Sequence, residues 1–170
     1  MLNIVLLEPE IPQNTGNIAR TCAVLNANLH LIGPMGFTIS EKSVKRAGLD
    51  YWPLVRLHTY DSWQHFVDYQ TNEDSSWNDR AFYLTTKGIQ RYDKIEYPEH
   101  CFIIFGKESA GIPLPILQAA GNRAIRIPMR PELRSLNLSN AVAICAFEVF
   151  RQWDFPDMET QGILATMVKD

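Results

Sequence analysis

Apolar residues along this chain come mostly in short runs, and polar, glycine- and proline-bearing loops separate them. Leu2 to Leu7 is one such run, bounded by Glu8 and Pro9, and it predicts a buried parallel strand rather than an alternating, half-exposed one. Ile18, Cys22 and Leu25 then recur at helical spacing, predicting a helix capped by Asn14 or Thr15, with Arg20 about one turn inside it. Asn28 to Ile32 reads as a second strand, Ser43 to Ala47 as a short basic helix stopped by Gly48, and Leu54 to His58 as a third strand. Trp63, Phe66 and Val67 share a helical face, after which the polar run Thr71 to Asp79 predicts a surface loop. Ala81 to Thr85 restores strand character up to a turn at Lys87-Gly88. Cys101 to Phe105 is the most strand-like run of all, and Pro113 opens a helix through Leu117 and Ala120 that Gly121 closes. Ile125 and Ile127 mark a last strand, and Leu138, Val142, Cys145, Ala146 and Val149 line one side of a last helix. From Asp154 onward the pattern is less regular, predicting a short helix at most and a frayed end.

Strands alternating with helices predict an α/β fold, a mostly parallel sheet flanked by helices. In such sheets ligands bind beyond the carboxyl ends of the strands. The polar loops after Leu7, Phe105 and Ile127 all follow strands in that sense, so they are expected to converge on one site. A length of 170 residues suits one well-buried domain, assigned here to residues 1–153, with a tail over 154–170.

Charge narrows the choice of partners. A formal net charge of -3 gives no global nucleic-acid footprint, so a polyanion must meet a local basic patch. Cys22, Cys101 and Cys145 are odd in number, far apart and embedded in apolar sequence, which predicts reduced packing thiols rather than disulfides or a zinc site. The N-terminal stretch lacks a basic region followed by a long apolar core, and no run reaches the roughly twenty apolar residues of a membrane span. A soluble, unprocessed cytoplasmic protein with no membrane partner and no metal is therefore expected.

Ordinary turn chemistry accounts for most of the candidate motifs. In GKESAG after the Cys101 strand, a phosphate loop would need glycine at Cys101 and serine or threonine at Glu108. The dinucleotide fingerprint lacks its middle glycine between Gly106 and Gly111, and no HExxH, GxSxG or paired CxxC occurs. Either glycine alone is an ordinary turn residue, but Glu108 between them is harder to dismiss. His30, His58, His65 and His100 show no ligand spacing and read as surface or packing residues. Trp63, Phe66, Phe147 and Phe150 read as core or interface aromatics, and Asn137 and Asn140 as cap and helix-surface residues.

Three ordered segments resemble a known family. They are Asn14 to Arg20 (NTGNIAR), Phe105 to Pro113 (FGKESAGIP), and Ile127 to Met129 followed by Ser135 to Ala141 (SLNLSNA). Together they resemble the motifs of the SPOUT-class RNA 2'-O-methyltransferases, and the likeness runs from Met1 to about Trp153. Within that class the chain is most similar to the minimal enzymes of the tRNA wobble nucleotide, cytidine or uridine 34.

The resemblance implies a C-terminal deep trefoil knot, a homodimer, S-adenosylmethionine as cofactor and the tRNA anticodon stem-loop as partner. It implies a cofactor pocket that includes Leu84, Thr85, Gly106, Glu108, Ile127, Met129, Ser135 and Leu136. Arg20 becomes the principal catalytic residue, as base or as the group that steers an RNA phosphate and hydroxyl, with Asn14, Glu108, Ser135 and Asn140 orienting it or the loops. Lys42, Arg46, Lys87, Arg130 and Arg134 are expected on the RNA, joined by Lys45 and Arg91, while Lys107 adds RNA affinity or nothing. Two rivals remain: a non-catalytic RNA-binding or assembly factor on the same fold, and a flavodoxin-type nucleotide enzyme.

Overall fold

The structure, a computed structural model, describes residues 1–37 and 51–162. Strands β1 (Leu2–Leu7), β2 (Asn28–Ile32), β3 (Arg56–Tyr60), β4 (Ala81–Leu84), β5 (Gln90–Arg91), β6 (Cys101–Phe105) and β7 (Ala124–Arg126) form one sheet in the order β3-β2-β1-β6-β4-β7-β5. Every strand pair is parallel. Helices α1 (Pro12–Val24), α2 (Trp63–Glu73), α3 (Leu114–Ala120) and α4 (Leu138–Gln152) connect or follow the strands. This is the expected α/β architecture.

The unbroken apolar runs are explained by cores on both faces of the sheet. Leu2, Ile4 and Leu6 of β1 and Ile103 and Phe105 of β6 join Ile18 and Cys22 of α1 and Val142, Cys145 and Val149 of α4 in one cluster. Val5 and Leu7 point the other way, with Phe102 and Ile104, against Phe66, Trp77 and Leu117. Each strand residue alternates in direction, yet both directions are dry, so alternation disappears from the sequence. Cys22, Cys101 and Cys145 are all buried free thiols. Their burial pushes the Cys22 and Cys101 thiols up to about 12 and raises that of Cys145 as well.

Several boundaries differ from the sequence reading. Helix α1 starts at Pro12 with Ile11 as its cap, and no side chain caps it. Proline suits a first-turn position, where its missing N–H costs nothing. Asn14 and Thr15 therefore lie inside the first turn, and Arg20 sits more than two turns into the helix rather than one. The third strand begins at Arg56, because Trp52–Leu54 closes into a 3-10 turn around Pro53. The polar run 71–79 is not simply a surface loop. Ser62 Oγ caps α2 by accepting from His65 N at 3.2 Å, and the helix runs on to Glu73. Trp77 then opens another 3-10 turn and is 3% exposed, its ring 5.3 Å from Phe66 and 5.4 Å from Phe102. The edge strand β5 was not anticipated, and the predicted helix Ser43 to Ala47 lies outside the described residues. Residues 154–162 form turns without a helix, with positive φ at Asp154, Phe155 and Asp157. Among the described residues no helix is long and apolar enough to cross a membrane.

His30 is a packing residue, as its lack of ligand spacing suggested. It is 3% exposed, between Tyr60 Oη at 3.2 Å and Asn3 Oδ1 at 3.1 Å, and stacks on the His58 ring at 4.8 Å. Burial, with a smaller contribution from His58, lowers its pKa to about 3.

Candidate functional site

The three polar loops do converge. A cleft of about 460 Å³ opens beyond the carboxyl ends of β4, β6 and β7, within the usual size of small-molecule sites, roughly 300–1,000 Å³. Leu84, Thr85, Thr86 and Lys87 form one wall, Phe105 to Ile112 a second, and Ile127, Met129 and Arg134 to Leu138 a third. Ile11 and Asn14 close it from the start of α1.

Two glycines permit these walls to meet. A Cβ on Gly106 would stand 2.0 Å from the Gly111 carbonyl carbon, and one on Gly88 2.3 Å from that of Ile125. The second loop folds tightly on itself: Gly111 N donates to Lys107 O at 2.8 Å, with Gly111 at φ +71°.

A continuous hydrogen-bond chain links all three loops. Glu108 Oε2 accepts from the backbone N–H of Glu10 at 2.9 Å, while its Oε1 accepts from Ile11 N at 3.3 Å and from Asn14 Nδ2 at 2.9 Å. Asn14 Oδ1 in turn accepts from Asn137 Nδ2 at 3.0 Å. Asn137 Oδ1 caps α4, accepting from Ser139 N at 2.9 Å and Asn140 N at 3.4 Å. Glu108 thus satisfies donors at the start of α1, whose positive end favours a carboxylate.

The clasp between the first two loops is reciprocal. Glu10 accepts from both Ser109 N and Ser109 Oγ at 2.8 Å, which holds the exposed Glu10 carboxyl below the usual carboxylate range. Lys107 Nζ reaches Glu8 Oε2 at 2.8 Å, so Lys107 is tied to the protein's own carboxylate, and that partner raises its pKa. Arg91 is likewise paired with Asp93 at 2.6 Å.

All eight residues expected around a cofactor line the cleft: Leu84, Thr85, Gly106, Glu108, Ile127, Met129, Ser135 and Leu136. Asn14, Lys87 and Arg134 line it too, whereas Arg20, Arg130 and Asn140 do not. Lys42 and Arg46, with Lys45, lie outside the described residues. Arg20 is exposed on α1, its guanidinium 4.7 Å from the centroid of the Tyr51 ring. The sequence reading assigned no site role to Glu10, Ser109 or Ile11. Asn137 is the helix cap that the sequence predicted, and its bond to Asn14 is what the sequence did not reveal. No group of three His, Cys, Asp or Glu positioned for a metal ion occurs among the described residues.

Residues 1–147 match the model of the SpoU rRNA Methylase family. A tRNA (cytidine(34)-2'-O)-methyltransferase of Yersinia pestis is 46% identical over 157 residues, covering 92% of this chain and 96% of the relative. A solved structure described as giving structural insights into the 2-OH methylation of C/U34 on tRNA superposes with TM-score 0.78 at 41% identity, covering 91% of this chain and 97% of the other. The SpoU methyltransferase AviRb of Streptomyces viridochromogenes, solved with AdoMet, shares the fold at TM-score 0.78 and 21% identity, covering 91% of this chain and 61% of its own.

Proposed function

The chain belongs to the SpoU rRNA methylase family, and from that premise we propose that it transfers a methyl group from S-adenosylmethionine to the ribose 2'-hydroxyl of tRNA nucleotide 34. The observation that carries this reading is the near full-length match to the Yersinia pestis tRNA methyltransferase. The cleft agrees with it in size and lining.

The residues present fit the cofactor. Leu84, Ile127, Met129 and Leu136 supply apolar surface in the cleft for an adenine, and the Gly106 turn brings backbone groups close where a side chain would intrude. When bound, S-adenosylmethionine supplies a methyl already activated by its sulfonium charge. The protein's task is then to fix the pocket and to place the ribose. Glu108, Asn14 and Asn137 fix it, because their hydrogen bonds hold the three loops in one arrangement. Ser135 belongs to the cleft wall, and Asn140 lies in the capped first turn of α4.

Arg20 positions the RNA. A guanidinium is a planar fork of N–H donors, so Arg20 serves as a phosphate and hydroxyl ligand that stabilises developing negative charge on the ribose oxygen. Lys87 and Arg134 at the cleft and Arg130 nearby in sequence, all exposed, supply local positive charge for an anticodon stem-loop despite the net negative chain. Lys42 and Arg46 are read as RNA contacts from the sequence alone.

The assembly is read as a homodimer. Ile144 and Phe147 on α4 and Val24 on α1 are exposed apolar side chains on two helices that pack together, which supports a partner surface there. The segment from β7 through α4 is read as the knotted part of the chain. Its support is the close backbone passage of Gly88 beside Ile125 and the packing of α4 against β1 and α1. Three buried thiols suit the cytoplasm.

The test is incubation of the protein with labelled S-adenosylmethionine and tRNA, followed by mass spectrometry of nucleoside digests. A 2'-O-methylated nucleoside at position 34 is expected. Binding of tRNA without cofactor binding or transfer would favour the non-catalytic RNA-binding reading instead.

A further inference from the structure

Tyr51 touches the helical turn that carries Arg20 at two points. Its ring lies under the Arg20 guanidinium, 4.7 Å from centroid to Cζ, and its hydroxyl donates to the Gly16 carbonyl at 2.9 Å. That carbonyl stands four residues before Arg20, one turn back along α1. The ring is also half-buried and packed against the core cluster beneath α1, so its plane is fixed from behind. Among the described residues no carboxylate pairs with Arg20.

The kind of partner matters. A carboxylate would orient the guanidinium equally well but would occupy its donors and cancel its charge. An aromatic face attracts the cation through its quadrupole and leaves the N–H edge of the guanidinium open. Among the described residues Arg20 is thereby held with its donor edge unspent. An anionic RNA backbone needs such a group.

We propose that Tyr51 is a positioning residue for the RNA: it orders Arg20 while leaving its donor edge free for a phosphate oxygen or a ribose hydroxyl. The inference rests on the role given to Arg20 above. Nothing in composition or periodicity marked Tyr51 as part of the site.

Steady-state methyl transfer to tRNA by the full chain tests it. No transfer by the unaltered protein would overturn the proposed function itself. Given transfer, Tyr51→Leu is expected to lower kcat/KM for tRNA about tenfold, within the range of a cation–π contact, with the Kd for S-adenosylmethionine changed less than about twofold. Tyr51→Phe, which keeps the ring, is expected to recover most of that loss. Because Tyr51 acts through Arg20, the double variant Tyr51→Leu with Arg20→Ala should be no slower than Arg20→Ala alone. Should Tyr51→Leu fail to fold, graded fluorination of a phenylalanine placed at position 51 weakens the ring quadrupole at nearly constant shape, and kcat/KM should fall with each fluorine. An unchanged kcat/KM in Tyr51→Leu, a double variant that loses the product of both single effects, or a flat fluorination series would overturn the proposal.

Discussion

Glu108 and Asn14 meet at 2.9 Å although 94 residues separate them, and this one hydrogen bond joins the loop after β6 to the first turn of α1. The same carboxylate also accepts from Glu10 N and Ile11 N, so three donors converge on it. Glu108→Gln keeps the shape but turns one accepting oxygen into a donor, leaving at least one of these partners facing an N–H. Hydrogen bonds to a charged group contribute roughly 1.5–3 kcal/mol, so S-adenosylmethionine affinity should fall about tenfold or more, read by calorimetric titration. Unchanged affinity would remove Glu108 from the pocket's framework.

Asn137 does two jobs that can be separated. Its oxygen caps α4 and its amide nitrogen donates to Asn14. Asn137→Ala removes both and should cost about 1 kcal/mol of stability as a lost cap, along with cofactor affinity. Asn137→Asp keeps the cap and loses the donor, so its melting temperature should stay near that of the parent while cofactor binding weakens. Equal behaviour of the two variants in both assays would contradict this division.

Glycine substitutions should sort by mechanism. Gly106→Ala places a Cβ against the Gly111 backbone, and Gly88→Ala does so against Ile125, neither of which a side-chain rotation relieves. Each should destabilise by about 1–3 kcal/mol. Gly111→Ala meets nothing within 4 Å but keeps φ +71°, so its cost is the left-handed backbone alone, about 1–2 kcal/mol. Denaturant midpoints of the three variants check the order, and affinity should suffer most in Gly106→Ala, where a cleft wall must move.

Acid should destabilise the protein through His30. In the fold its pKa is about 3, below the ordinary 6.5, so as pH falls beneath 6.5 the unfolded chain takes up a proton that the folded chain refuses. Stability is full above that point and drops by up to about 1.4 kcal/mol per pH unit down to the folded value. Glu10 adds its own loss only lower, beginning near the ordinary carboxyl value of 4.5, where the unfolded chain takes up a proton that the folded Glu10 resists. A His30→Gln variant should flatten the unfolding free energy between pH 6.5 and 5. Retention of the parent's slope would show that another group carries it.

What the sequence revealed depended on how local the cause was. Leu2–Leu7, Asn28–Ile32 and Cys101–Phe105 were legible to the residue because apolar runs buried on both faces end abruptly at polar or turn-forming residues. Gln90–Arg91 left no trace, since a two-residue edge strand is defined by its partner Ile125–Arg126 and not by its own composition. Trp77 was hidden in a polar run because one buried aromatic makes no periodicity. Asn14 looked like a cap, which its residue type allows, but its amide is spent on Glu108 and Asn137 across long stretches of chain. Strand-end position was enough to expect the three loops to converge. The sequence marked Glu108 between two turn glycines and Asn14 and Asn137 as helix-start residues, but the hydrogen bonds that join them, and the Tyr51 ring beneath Arg20, depend on tertiary contacts.

The sheet order carries a consequence for synthesis. Strand β1 pairs first with the nearby β2 and only much later with β6, while the cleft's third wall and the Asn137 contact to Asn14 come from the segment made after β7. A nascent chain halted at the end of β7 can therefore assemble its whole sheet and yet lack the cleft's third wall. Ligand binding cannot rescue such a fragment, so stabilisation by the cofactor is reserved for molecules that have been translated past that point.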